Sequence, residues 1–387
     1  SVLAKWDLAD IYRIRKDTHR RVQIWEDLTY KTQRDKQNSY YTSQASINLG
    51  QHHFYSGNFT EGIKAFETTY KDATLIRQMY RYASNPISQL TGSTEKAKTG
   101  TKLADEFIAY INRQMPRDLT LDSNKARARD FYYTIAGIHS YARRDQEGLA
   151  VYTHLGKLIG VDDNLRGKQA VWHRARKRYG DARKIYTQYA DREAGLAATA
   201  DTWRQEKKWN ESVNTYQKLI GLDPGKEGQW QQAILGVWRE ARQWDKAIET
   251  YQVLIKVVPA KFGDWYWGIG DCYERLGKLK EAIGSYQQSD EYPKVYFAMA
   301  SCHRRLKQYK EALVLYHQAR ANQGVAARAT IDIGYTYEQS GARENAIKWF
   351  QQTCKLYPKT SYASQAHAHL QSKYKISVTL GGSNEKE

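Results

Sequence analysis

The sequence predicts an all-α solenoid of helix–turn–helix repeats, and three observations carry that expectation. A small residue followed four positions later by an aromatic recurs five times, at Ser212/Tyr216, Ala247/Tyr251, Ala282/Tyr286, Ala312/Tyr316 and Ala346/Phe350. Successive small residues stand 35, 35, 30 and 34 positions apart, the period that marks stacked helical repeats. Three of these units close on a proline twelve residues past the small residue, at Pro224, Pro259 and Pro358.

The amino-terminal part is the least regular. Residues 1–42 hold divergent helical stretches, around 6–12 and 22–28, without the small-residue signature. Residues 43–76 carry Leu49, Gly50, Gly57, Phe59, Gly62 and Phe66, a degenerate unit with glycine where alanine stands elsewhere. In 77–128, Asn85-Pro86, Gly92-Ser93, Gly100 and Met115-Pro116 read as breaks, because proline and glycine punctuate regular structure. Leu103, Phe107 and Ile111 make a helical stripe between them, so 43–128 reads as one degenerate unit plus an irregular helical pair.

From 129 the pattern tightens into seven units, set at 129–162, 163–192, 193–227, 228–262, 263–292, 293–326 and 327–358. Tyr266, Ile269, Gly270 and Tyr273 form one stripe, since residues three and four apart share a helix face. Thr330, Ile333, Gly334 and Tyr337 repeat it two units later. A small residue on such a stripe lets the neighbouring helix approach, and the aromatic fills the space beside it. Gly277 and Gly341 then supply the positive φ that ends a first helix, and the closing prolines end the second helices. These residues resemble the tetratricopeptide repeat, over 43–76 and 129–358. The resemblance implies a right-handed superhelical solenoid whose first helices line a concave groove.

The carboxyl end changes character. Residues 359–372 predict a capping helix, which a solenoid needs to cover its last apolar face. Residues 373–387 are strand-like or flexible: 373–380 alternates strictly between polar and apolar, a strand pattern. Tyr374, Ile376, Val378 and Leu380 would add a strand to a neighbouring subunit, or else the segment is a frayed tail.

Composition narrows the function. Lys and Arg outnumber Asp and Glu by 60 to 42, a net charge of +18 that favours anionic partners. No long lysine or arginine block is present, the densest run being Arg174, Arg176, Lys177 and Arg178, so nucleic acid is not the expected partner. No stretch approaches the roughly 18 apolar residues of a membrane helix. The chain opens on Ser1 without a methionine or an apolar leader, and Asn58 and Asn210 head glycosylation triplets. Those features lean toward a secreted, periplasmic or cell-surface chain. Unpaired cysteines suit the cytoplasmic alternative.

Catalytic constellations are missing. The sequence has no H-E-x-x-H, no G-x-S-x-G, no Rossmann glycine pattern and no P-loop. Cys272, Cys302 and Cys354 lack metal or redox spacing, and His52/His53 and His367/His369 do not share helix faces. No enzyme activity, metal or cofactor is expected.

The groove implied by the resemblance is then filled from this sequence. Arg174, Arg204, Arg239, Arg275, Arg304 and Arg305 stand late in successive first helices, with Asp271 among the interleaved acids and Trp267, Phe297 and Tyr335 as aromatic surface. Arginine binds carboxylates bidentately, so a protein or peptide partner with acidic groups is expected. The competing reading pairs these arginines with acids on adjacent helices. Some family members hold carboxyl-terminal peptides in an asparagine-and-lysine clamp, but Asp201, Gly236, Asp271 and Ser301 occupy those positions here. A scaffold is therefore the first expectation, ahead of a self-assembling subunit (a homo-oligomer or head-to-tail filament) and of a binder of anionic polymer.

Overall fold

The computed structural model describes residues 1–381 as two units, 1–191 and 192–381, each taken by itself. In unit 1 the helices are α1 (Val2–Ile14), α2 (Thr18–Glu26), α3 (Ser39–Tyr55), α4 (Phe59–Glu67), α5 (Asp72–Gly92), α6 (Ala97–Arg113), α7 (Asp122–Tyr141), α8 (Asp145–Ile159), α9 (Asp163–Ala175) and α10 (Tyr179–Tyr186). They pack as consecutive antiparallel pairs.

Two of the expected breaks do not form. Helix α5 runs unbroken through Pro86, and Gly100 lies inside α6. Leu75, Ile76, Met79, Ala83, Ile87 and Leu90 give α5 one continuous buried stripe, which packs with Leu103, Phe107 and Ile111 of α6. That burial outweighs the roughly 3 kcal/mol an internal proline costs. Gly100 marks a crossing rather than a break: a Cβ there would stand 2.5 Å from the Thr91 backbone nitrogen.

Unit 2 contains α11 (Arg192–Gln205), α12 (Trp209–Leu222), α13 (Glu227–Glu240), α14 (Trp244–Val257), α15 (Phe262–Arg275), α16 (Leu279–Gln287), α17 (Lys294–Arg305), α18 (Tyr309–Arg320), α19 (Ala326–Gln339), α20 (Arg343–Leu356) and α21 (Ser361–His369). The helices through α20 pair in order, and each pair's second helix packs on the first helix of the next pair. The small residues Ser212, Ala247, Ala282, Ala312 and Ala346 are fully buried, and their aromatic partners nearly so. A Cβ on Gly270 would meet the Tyr286 ring at 2.5 Å, so the glycine is what lets α16 close on α15.

From α7 onward each first helix ends on a residue with positive φ. Glycine fills that place at Gly277 and Gly341, but Arg143, Lys177, Lys207, Arg242 and Lys307 fill it elsewhere at φ between 56° and 61°. A side chain in this region costs roughly 1–2 kcal/mol. A cation at a helix carboxyl end recovers about 0.3–1 kcal/mol from the macrodipole. Lys207→Gly is therefore expected to raise stability by about 0.5–1 kcal/mol in high salt, where the charge term is screened, and by less in low salt. Lys207→Ala, which keeps the strain and loses the charge, should gain nothing. Urea melts at two salt concentrations read both.

The tail corrects a sequence expectation. Among the described residues there is no strand; a π-helical turn, Leu370–Tyr374, follows α21, and Lys375 then takes a left-handed conformation. Tyr374 is buried, while Ile376 and Val378 pack on the core formed by Phe350, Cys354 and Leu370. The Ile376 and Gly381 amides donate to the Leu370 and Cys354 carbonyls. Alternation specifies two faces, but a strand also needs a sheet edge, and here the chain's own last pair takes the apolar face. Leu380 is 41% exposed, and residues 382–387 of the expected tail lie outside the described residues.

Candidate functional site

Helices α15, α17 and α19 are the first helices of three consecutive pairs. Between them lies an open cavity of about 480 Å³ whose lining includes Trp267, Glu274, Lys294, Phe297, Ser301 and Arg328. Trp267 leans on the buried Tyr286 ring at 4.9 Å, and Phe297 meets Tyr316 edge-on at 5.9 Å. Both aromatic walls thus rest on the core aromatics of their repeats.

Each wall carries a cation. The Lys294 ammonium stands 3.8 Å from the Trp267 ring centre, and the Arg328 guanidinium 4.3 Å from that of Phe297. Such contacts hold a cation in place at about 0.5–1 kcal/mol when exposed while leaving its hydrogen-bond donors free to turn outward. Lys294 also has Glu291 at 3.8 Å, and Arg328 has Asp332 at 3.8 Å. Burial pushes the Asp332 carboxyl up to about 6, against the opposing pull of Arg328 and Arg304.

The family model for the tetratricopeptide repeat matches residues 239–295 and 297–360. Those residues carry tetratricopeptide repeats. No curated protein sequence matches it. Among solved structures, a MamA protein is similar at 18% identity and a TM-score of 0.34, over 52% of this chain and 99% of that one. YrrB, described as a TPR protein with an unusual peptide-binding site, is similar at 16% identity and 0.34, over 49% and 96%. Yeast Tom70 is similar at 10% identity and 0.33, over 97% and 91%.

Within the repeats of unit 2, the expected arginines are largely committed to one another's neighbours. Arg204 Nε donates to Glu240 at 2.5 Å, and Arg305 Nη1 to Glu274 at 2.9 Å. Arg304 Nε donates to Gln339 at 2.9 Å, and Arg275 Nε to Asp271 of its own helix at 2.9 Å. The first three of these contacts bridge successive first helices. Arg239 is exposed beside Tyr251. Arg174 belongs to unit 1, where its Nη1 donates to the Tyr186 hydroxyl at 3.2 Å. Tyr335 packs on Phe350 and His369, at 5.0 and 5.2 Å, away from the cavity. Trp267 and Phe297 are the two expected residues that line it.

Lys294, Arg328 and Asp332 were not singled out by sequence reasoning. The available signal was spacing: 294 and 328 are 34 positions apart, one repeat, and so occupy the same place in the first turns of α17 and α19. They stand in first turns, whereas the recurring arginines stand late in the helices.

The remaining candidates are quiet. Asn58 caps α4 through its side chain, accepting from the Glu61 amide, and Asn210 is exposed in the first turn of α12. Cys272, Cys302 and Cys354 are free and buried, and burial pushes the Cys272 and Cys302 thiols up to about 11 and about 12. Among the described residues no cluster of three or more His, Cys, Asp or Glu could hold a metal ion, and no helix is long and apolar enough to cross a membrane.

Proposed function

We propose that this protein is a non-enzymatic scaffold that takes an acidic segment of a partner protein between α15, α17 and α19. The observation that carries this reading is the pair Lys294 and Arg328, one repeat apart, each held over an aromatic wall of the same open cavity. An extended peptide crossing successive first helices would meet a cation and an aromatic surface at each step. The paired arginines then act as cross-repeat ties that hold the groove in shape. A charge-assisted hydrogen bond contributes about 1.5–3 kcal/mol. Two of them plus one aromatic contact support roughly micromolar affinity after ordering costs.

The test uses fluorescein-labelled decapeptides alternating Asp or Glu with apolar residues, and matched peptides carrying Asn or Gln. By anisotropy, the acidic peptides are expected to bind and the amide versions to bind at least tenfold more weakly. Lys294→Glu combined with Arg328→Glu should remove the difference. Equal binding of both peptide sets, or undiminished acidic binding by the double variant, would show that the groove is not an acidic-peptide site.

A further inference from the structure

The tail once expected to mediate assembly is occupied by its own chain, and the exposed apolar surface lies at the other end of the sequence. Helix α1 buries Ala9 against unit 1 and leaves Leu3, Leu8, Ile11 and Ile14 exposed at 50%, 40%, 44% and 73%. At 100° per residue Leu8, Ile11 and Ile14 fall on one face, opposite Ala9, with Leu3 at its margin. Four large apolar side chains grouped on one helix mark a contact surface rather than ordinary scatter.

The pattern on that face is symmetric. Leu8 and Ile14 stand three positions either side of Ile11, and Asp7 and Arg15 stand four positions either side with opposite charge. The other charged residues of the helix are spoken for: Lys5 pairs with Asp27, and Arg13 pairs with Asp10 at 3.0 Å. Asp7 and Arg15 are exposed and make no ion pair among the described residues. An isologous contact requires a self-complementary patch, in which residue i meets j and j meets i. Two copies of α1 laid antiparallel about Ile11 satisfy that requirement. Ile11 meets Ile11, Leu8 meets Ile14 at both ends, and Asp7 meets Arg15 twice.

We propose that α1 is a homodimerisation helix that pairs antiparallel with α1 of a second copy about Ile11. Opposed charges at both ends set the antiparallel direction, since a parallel pair would place Asp7 on Asp7 and Arg15 on Arg15. The contact closes at two copies.

The test is size exclusion with light scattering on the full chain across a hundredfold concentration range. Mass is expected to rise from 44.9 kDa toward twice that value and no further. Ile11→Glu, which brings two carboxylates together at the dyad, should leave a monomer at tenfold higher concentration, with an unchanged circular dichroism spectrum because the site is exposed. Asp7→Arg should weaken the dimer severalfold, and Asp7→Arg with Arg15→Asp should restore it. A chain that stays monomeric throughout, as it would if a different protein covers this face, overturns the proposal. So does a mass that grows past two copies, a dimer indifferent to Ile11→Glu, or a double variant that fails to recover.

Discussion

Phe350→Ala is expected to cost about 3–5 kcal/mol, the range for removing a fully buried phenylalanine. The ring has no exposed surface, and Tyr335, His369 and Tyr374 lie within 5.0, 4.9 and 6.3 Å of it. It also seats against Gly334, where a Cβ would approach to 2.8 Å. One truncation therefore loosens α19, α20 and the turn that carries the tail. In an array stabilised by nearest neighbours the loss should stay local. Hydrogen exchange is expected to accelerate through α19–α21 while α13–α16 keep their protection, and urea unfolding should acquire a separate early step. A single transition shifted by less than about 1 kcal/mol would contradict the packing argument.

The second large effect belongs to Glu338, which anchors the carboxyl-terminal turn. His369 Nε2 lies 2.8 Å from its Oε1, Lys373 Nζ lies 3.3 Å from its Oε2, and the Tyr374 hydroxyl donates to Oε1. Burial pushes the carboxyl up, but donation from Tyr374, His369 and Lys373 outweighs it and holds the group below its ordinary value. A carboxylate depressed in the fold stabilises above its unfolded pKa, and that contribution is lost as pH falls through the folded value. Docking of the tail should accordingly weaken below about pH 4.5. Glu338→Ala removes charge-assisted bonds of about 1.5–3 kcal/mol each, so exchange at the Ile376 and Gly381 amides should rise roughly ten- to a hundredfold at pH 7. The variant should also lose the acid dependence. Unchanged protection of both amides would show that Tyr374, Ile376 and Val378 hold the tail by burial alone.

These two sites show what could and could not be read in advance. The five small-and-aromatic pairs were legible because their spacing follows from helix geometry: one residue must be small for the helices to close, and its partner must fill the gap. Phe350 was in that set. The role of Glu338 was not legible, because its three donors lie more than thirty residues downstream, and nothing local announces such a meeting.

The candidate groove divides in the same way. Trp267 and Phe297 were expected as aromatic surface; both line the cavity, but Phe297 is 7% exposed and belongs to the core of its repeat, which only the neighbouring helices decide. The arginines were legible as a recurring position but not as a function, since a recurring charge pairs inward or faces a ligand according to what the next repeat offers. Glu240, Glu274 and Gln339 take three of them across repeat boundaries. Lys294 and Arg328 were not legible because their role depends on the aromatic faces brought beneath them.

By itself the sequence determined the helical repeat, its period, the small-and-aromatic contacts within each pair and the glycine turns. All of these follow from side-chain size and direction within a few helical turns. Tertiary structure decided the rest: α5 passing through Pro86, the tail packing on its own last pair instead of forming a strand, and the choice of cations facing the cavity. Those outcomes depend on which surfaces meet. A proline's local cost is overridden by a buried stripe, an alternating segment becomes a strand only beside a sheet edge, and a charge turns inward when a partner waits there.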